Sequence, residues 1–131
     1  MSPLPIIPIL GTVFIIARTF LESRPTISPK EAFAAVETGT AVLVDAREPV
    51  EWGAGVARAA VRLPLSDLRS QRELRIPFLN NNRRKRILPY CHSGMRSGTA
   101  ASVLKAEGFD PANVGTLKSQ QECGMPVRAP Q

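Results

Sequence analysis

One cysteine stands in a setting that could make it a nucleophile. Cys91 directly follows a predicted strand, residues 86–90, which is apolar after Arg86, and the chain then continues through a short loop into a helical pattern. Such a loop directs several backbone N–H groups at one point, and the helix dipole adds partial positive charge there. These surroundings favour the thiolate of Cys91 over the thiol, and the same amides would hold an anion beside it. The loop residues are His92, Ser93, Gly94, Met95, Arg96 and Ser97.

Composition and charge limit the classes of function. The chain has 131 residues, two cysteines, one histidine and a net charge of +6. Two cysteines are too few for a disulfide framework, and a single histidine without a Cys-x-x-Cys pair gives no metal-site pattern, so we predict neither metal nor cofactor. The positive charge favours anionic partners. Because one Trp and one Tyr offer little surface for stacking on bases, we do not expect nucleic acid among them.

Apolar runs and helix caps predict the elements that position the loop. Residues 28–31, Ser-Pro-Lys-Glu, form a capping box that begins a helix, and Gly39 is expected to end it. Residues 41–44 are a continuous apolar run, and residues 86–90 are apolar after Arg86, as is typical of strands buried on both faces of a parallel sheet. Pro89 cannot donate a ladder hydrogen bond, so we expect local distortion or reduced stability there.

The rest of the chain continues the alternation of helices and strands. A short helix is predicted from Ser66, a longer helix from Ser97 to Glu107, and a last strand from Val114 to Leu117. This order predicts an α/β fold with a small doubly wound parallel sheet flanked by helices. Cys91 then lies at the carboxyl end of a strand, where open sheets of this kind bind their ligands.

The N-terminal residues have a different character. Residues 4–17 carry no charge, and the apolar stretch reaches Leu21 if the side chain of Arg18 extends to the membrane surface. We therefore divide the chain into a hydrophobic N-terminal segment, residues 1–24, and a domain over residues 25–131. The segment is a candidate membrane anchor, which makes residues 4–21 a site of membrane association. Because positive charges follow it, we expect a bacterial inner-membrane protein with a cytoplasmic domain; a periplasmic or soluble protein is the alternative.

Two motifs together resemble one protein family. A strand, Cys-x-x-Gly-x-Arg-Ser and a helix occur at residues 91–97, and Val-Asp-x-Arg-Glu-Pro-x-Glu-Trp precedes them at residues 44–52. This combination is similar to the rhodanese family. Residues 64–68, 108–109 and 124–127 also resemble segments of that family, so the likeness extends over roughly residues 28–128.

The resemblance implies a sulfurtransferase. In such an enzyme Cys91 would take a sulfur atom from thiosulfate or a persulfide donor and pass it to a thiol or cyanide. Cys91 and Arg96 are then the expected catalytic residues, and Asp45 is a structural residue near the site. The expected substrate-binding residues are Arg47, His92, Ser93, Gly94, Met95 and Ser97. The partners implied are a small anionic sulfur donor and a thiol acceptor.

Two alternatives remain open at this stage. One is a non-catalytic sulfur carrier or partner-binding module. The other is a cysteine-dependent phosphatase or arsenate reductase, although such enzymes use Cys-x5-Arg, and four residues separate Cys91 from Arg96 here. The chain also departs from the family pattern at residues 55–60, at Pro89 and at residues 118–119, and it carries a second thiol, Cys123, as a candidate resolving residue.

Overall fold

Alternating helices and short strands make up the part of the chain that the structure describes. The computed structural model describes residues 12, 13, 15, 21, 23–70 and 75–129. Its α-helices are α1 (Pro29–Glu37), α2 (Leu65–Ser70), α3 (Ile76–Asn81), α4 (Met95–Ala106) and α5 (Leu117–Glu122). Its strands are β1 (Ala41–Asp45), β2 (Val56–Ala57), β3 (Val61–Arg62), β4 (Arg86–Cys91), β5 (Asp110–Pro111), β6 (Gly115–Thr116) and β7 (Val127–Arg128). A 3-10 helix spans Pro49–Ala54.

The central sheet is parallel and is covered on both faces. Its strand order is β3-β1-β4-β5, and β6 also pairs with β4. Side chains alternate across the sheet, so Leu43 and Leu88 pack with Ala32 of α1, whereas Val44 and Ile87 pack in the core that α2, α3 and α4 cover. The predicted parallel α/β sheet flanked by helices is therefore confirmed.

The predicted start of α1 is confirmed in atomic detail. The Ser28 hydroxyl accepts a hydrogen bond from the Glu31 backbone N–H at 3.1 Å, and Pro29 occupies the first helical position. This cap satisfies one of the N–H groups that a helix N-terminus leaves without an intrahelical partner. The helix ends at Glu37, and Gly39 follows two residues later with a positive φ of 78°.

The start of one helix and the extent of the last strand differ most from the sequence-based expectation. Helix α4 begins at Met95 rather than Ser97, because Gly94 takes a φ of 92° and the chain enters the helix immediately after it. The last strand of the sheet is only Gly115–Thr116. Leu117 instead begins α5, because the Thr116 hydroxyl accepts the Ser119 N–H at 3.1 Å and caps that helix.

The distortion expected at Pro89 is absent from β4, which runs unbroken from Arg86 to Cys91. On one side, Val44 of β1 remains the register partner of Pro89. On the other side, β5 pairs only with the first two residues of β4 and β6 only with the last two. Pro89 thus lies where the paired neighbour changes, and its carbonyl still accepts the Val114 N–H at 3.0 Å. The backbone N–H that proline lacks therefore falls at a position where neither β5 nor β6 is paired with β4.

Residues 49–62, for which the sequence predicted no regular element, form the 3-10 helix and two short strands. Strand β2 pairs antiparallel with β7, so Ala57 lies opposite Val127. Strand β3 extends the main sheet at its edge beside β1. Within the segment that departs from the family pattern, residues 55–60, Val56 and Ala57 are therefore paired with β7. The chain then continues into β3, beside the carboxyl end of β1.

Most of the apolar N-terminal segment, residues 1–24, lies outside the described residues, and so does most of the predicted membrane anchor, residues 4–21. Among the described residues, no helix is both long enough and apolar enough to cross a membrane.

Candidate functional site

The thiol of Cys91 lies at the carboxyl end of β4 and receives hydrogen bonds from the start of α4. Cys91 is fully buried. Its Sγ accepts the Gly94 N–H at 3.0 Å and the Ser97 N–H at 3.5 Å, and the Ser97 hydroxyl lies 3.3 Å away. Several donors therefore converge on one sulfur atom, as a nucleophilic thiolate or an anionic persulfide requires.

The other loop residues divide into buried and exposed groups. Gly94 and Ser97 are buried, and their backbone N–H groups point at the sulfur. His92, Ser93 and Met95 are exposed, and Met95 is 51% accessible. The structure therefore brings Gly94 and Ser97 to the thiol. A role for the three exposed residues in binding a substrate remains a prediction.

Arg96 is paired with a carboxylate from another part of the chain. Both of its terminal nitrogens donate to Glu51 of the 3-10 helix, one of them to Oε2 at 2.7 Å and the other to Oε1. A cation at a helix N-terminus opposes the helix dipole, and the Glu51 carboxylate compensates it. The hydrogen bond from Arg96 lowers the pKa of Glu51 to about 2, although partial burial acts in the opposite direction. Direct contact between Arg96 and the reacting sulfur remains a prediction.

The depressed pKa of Glu51 predicts a pH-dependent loss of stability. The folded-state pKa of about 2 lies below the ordinary value of 4.5. The pair therefore stabilises the fold above about pH 4.5, and this contribution is lost as the pH falls toward 2. Because both side chains are about one-third exposed, we expect the contribution to be about 1 kcal/mol.

Urea unfolding of wild type and Glu51→Gln at several pH values between 5 and 2 checks this prediction. The difference in free energy of unfolding between the two proteins should shrink as the pH falls. Glu37→Gln, at the exposed end of α1, is the control and should show no such convergence. A difference between Glu51→Gln and wild type that is independent of pH would contradict the prediction.

Asp45 and Arg47 form a buried ion pair beside the loop. Arg47 donates to both carboxylate oxygens of Asp45, with its shortest contact at 2.8 Å, and also to the Gly55 carbonyl at 2.6 Å. Tyr90 donates its hydroxyl to the same carboxylate at 2.7 Å and accepts the Ala57 N–H at 3.0 Å. Burial and the neighbouring Asp45 charge raise the pKa of Tyr90. This network joins β1, β4 and the start of β2. A structural role of Asp45 near the site remains a prediction.

A cleft opens beside His92 of the loop, at the carboxyl edge of the sheet. Its volume is about 510 Å³, and its lining includes His92, Thr116, Lys118 and Val127. Thr116 is the register partner of Cys91, so the cleft adjoins the loop. The cleft has room for a molecule larger than a small oxyanion, and Lys118 gives its rim a positive charge. Arg47 also reaches its wall, although its charge is already paired with Asp45.

Sequence reasoning missed Asn113 and the role of Glu51. Asn113 is almost fully buried, and its Oδ1 accepts the Ser97 hydroxyl at 2.7 Å. The only signal was its position just before the last strand, at the edge where Cys91 was expected. Cys123 is half-buried at the C-terminus of α5, and its role as a resolving thiol remains a prediction. Among the described residues, no three His, Cys, Asp or Glu side chains are grouped so as to bind a metal ion.

Comparison with known proteins finds one family over most of the chain. The family model of the rhodanese-like domain matches residues 28–119. A curated relative, tRNA uridine(34) hydroxylase from Bacillus licheniformis, is 34% identical over 87 residues, which is 64% of this chain. The match covers 26% of that relative, so this chain corresponds to about a quarter of its length.

Two solved structures show the same fold. Reduced CoADR-RHD from Bacillus anthracis is 31% identical with a TM-score of 0.62, and the match covers 77% of this chain and 17% of that one. A human single-domain sulfurtransferase is 23% identical with a TM-score of 0.64, and the match covers 76% of this chain and 96% of that one. At that identity the second likeness is evidence of the fold alone.

Proposed function

Because the chain belongs to the family of rhodanese-like domains, we propose that it is a sulfurtransferase that carries sulfur on Cys91. The observation that carries the proposal is the convergence of the Gly94 and Ser97 N–H groups on the Cys91 sulfur at 3.0 and 3.5 Å. These donors stabilise negative charge on that atom, both before sulfur uptake and in the persulfide. A thiolate formed in this way needs no general base.

The reaction has two displacement steps. The Cys91 thiolate attacks the outer sulfur of thiosulfate, the sulfur–sulfur bond of the donor breaks, and sulfite leaves with the bonding electron pair. With an organic persulfide as donor, the leaving group is a thiolate. In the second step a thiolate or cyanide attacks the outer sulfur of the Cys91 persulfide, and the Cys91 thiolate is released. Electrons are conserved between donor and acceptor, so no external oxidant or reductant is required.

The length of the loop favours sulfur over a phosphate ester as the transferred group. The cysteine-dependent phosphatase motif has five residues between Cys and Arg, whereas Cys91 and Arg96 enclose four. This shorter loop supports a small cradle for one sulfur atom.

The curated relatives support a second candidate function, in which the domain takes part in tRNA modification. Their name assigns them the hydroxylation of tRNA uridine 34, and one of them is 34% identical to this chain over 87 residues. The net charge of +6 is compatible with an RNA partner. The chain corresponds to only a quarter of such a relative, so we place the sulfur-carrying step first.

Intact-mass spectrometry of the full chain tests the proposed function. After incubation with thiosulfate, or with an organic persulfide, we expect wild type to gain about 32 Da, which a reducing agent removes, as a persulfide should behave. Cys91→Ser should gain nothing, whereas Cys123→Ser should behave as wild type. Transfer of the bound sulfur to cyanide or a thiol would then identify a catalyst, and retention of sulfur without transfer would identify a carrier. A folded wild type that gains no sulfur from any donor would refute the proposal.

A further inference from the structure

Asn113 connects the active-site loop to a segment near the N-terminus. It lies between β5 and β6 and is 1% exposed. Its Oδ1 accepts the Ser97 hydroxyl at 2.7 Å and the Gly115 N–H at 3.0 Å. Its Nδ2 lies 3.1 Å from the carbonyl of Gly94 and 3.2 Å from those of Ser23 and Arg24. One buried amide is thus bonded both to the loop that holds Cys91 and to residues before α1.

The segment of residues 23–26, which we call the strap, packs directly behind the loop. Thr26 exchanges two hydrogen bonds with the Asn113 backbone, one from each residue, both at 2.9 Å. A Cβ added at Gly94 would lie 2.8 Å from the Ser23 carbonyl oxygen, and one added at Gly115 would lie 3.1 Å from Pro25 Cγ. The strap precedes residue 28, where the match to the family begins.

These contacts act on the groups that touch the Cys91 sulfur. Gly94 donates its N–H to the sulfur, and Asn113 bonds the carbonyl of the same residue together with the Gly98 N–H. Ser97 has one hydroxyl proton, and because Asn113 Oδ1 at 2.7 Å is nearer than the sulfur at 3.3 Å, the hydroxyl donates to Asn113. Asn113 thus anchors the two residues whose backbone N–H groups face the sulfur, Gly94 at 3.0 Å and Ser97 at 3.5 Å. A buried polar group that loses such a partner reorients or incurs the full cost of desolvation, so the alignment of these two N–H groups depends on Asn113.

We propose that Asn113 is a positioning residue which, held by the strap, aligns the backbone N–H groups of Gly94 and Ser97 on the Cys91 sulfur. The value of this alignment for sulfur transfer rests on the proposed function, but the alignment itself can be measured without sulfur transfer. The reactivity of Cys91 toward an alkylating agent as a function of pH reports how well the loop stabilises the thiolate.

The experiment follows alkylation of Cys91 by iodoacetamide in the full chain between about pH 5 and pH 10. Mass spectrometry of the tryptic peptide of residues 87–96 separates Cys91 from Cys123. We expect Asn113→Ala to raise the pH midpoint of alkylation by about one unit and to slow the reaction about tenfold near pH 7, because the thiolate loses aligned donors. Asn82→Ala is the matched control. The side-chain amide of Asn82 donates to one backbone carbonyl, that of Phe78, and Asn82 precedes the start of β4, whereas Cys91 lies at the end of that strand. It should leave the midpoint unchanged.

A second variant keeps the test decisive if Asn113→Ala does not fold. Thr26→Val preserves the size of the side chain and removes the oxygen that accepts the Asn113 N–H. We expect a smaller rise of its midpoint, with alkylation about threefold slower near pH 7. Folded variants with a lower melting temperature but a wild-type midpoint would show that Asn113 is only structural and would overturn the proposal. A shifted midpoint supports it even if wild type forms no persulfide, an outcome that would refute only the sulfurtransferase activity.

Discussion

Replacing Arg47 with methionine is expected to lower the free energy of unfolding by about 3–5 kcal/mol. Arg47 is 5% exposed and Asp45 is fully buried, so the substitution leaves a carboxylate in the interior without its cation. It also removes the donor to the Gly55 carbonyl at 2.6 Å, which ties the start of β2 to the sheet. The Tyr90 hydroxyl and the Arg47 backbone N–H still bond the carboxylate, but neither supplies a positive charge.

Urea unfolding followed by circular dichroism measures this effect. The matched control is Arg86→Met, because Arg86 pairs with Asp110 at 3.3 Å while their side chains are 42% and 69% exposed. Exposed pairs contribute at most about 1 kcal/mol, so this variant should differ little from wild type. Adding Asp45→Asn to Arg47→Met should recover part of the loss, because the unpaired charge is removed. Equal effects of Arg47→Met and Arg86→Met would contradict the prediction.

Replacing Gly94 with alanine is expected to slow persulfide formation on Cys91 about 100-fold. Gly94 has a φ of 92°, which an L-residue adopts only at a cost of roughly 1–2 kcal/mol. The new Cβ would also lie 2.8 Å from the backbone oxygen of Ser23, so the loop or the strap must move. In the wild type the Gly94 N–H donates to the Cys91 sulfur at 3.0 Å. Movement of the loop carries this N–H away, so the negative charge on the sulfur loses its nearest hydrogen-bond donor.

The control for backbone strain is Gly108→Ala. Gly108 has nearly the same φ, 90°, but a Cβ there would have no neighbour within 4 Å, and the residue lies after α4, away from the loop. We expect it to lower stability by about 1 kcal/mol and to leave the rate of persulfide formation unchanged. Rates of sulfur uptake by mass spectrometry, measured on both variants and wild type, separate the two effects. Similar rates for Gly94→Ala and wild type would show that the Gly94 donor is not needed.

The sequence alone determined the features that depend on neighbouring residues. The capping box at residues 28–31 fixed the start of α1, because cap and capped N–H are three residues apart. The continuous apolar runs identified β1 and β4, because a strand buried on both faces must be apolar throughout. The order of strand, loop and helix then placed Cys91 at the carboxyl edge of the sheet, with the loop N–H groups directed at its sulfur.

Tertiary structure decided which distant groups meet at that edge. Glu51 lies 45 residues before its partner Arg96, and nothing in the spacing of either residue indicates the pair. Pro89 is accommodated because β5 ends and β6 begins beside it, which only the strand register reveals. Asn113 reaches the loop because it directly precedes β6, which pairs with the end of β4, and the chain before α1 bonds the same amide. Contacts of this kind depend on how the elements pack and not on local preference, so only the folded chain shows how Cys91 is held.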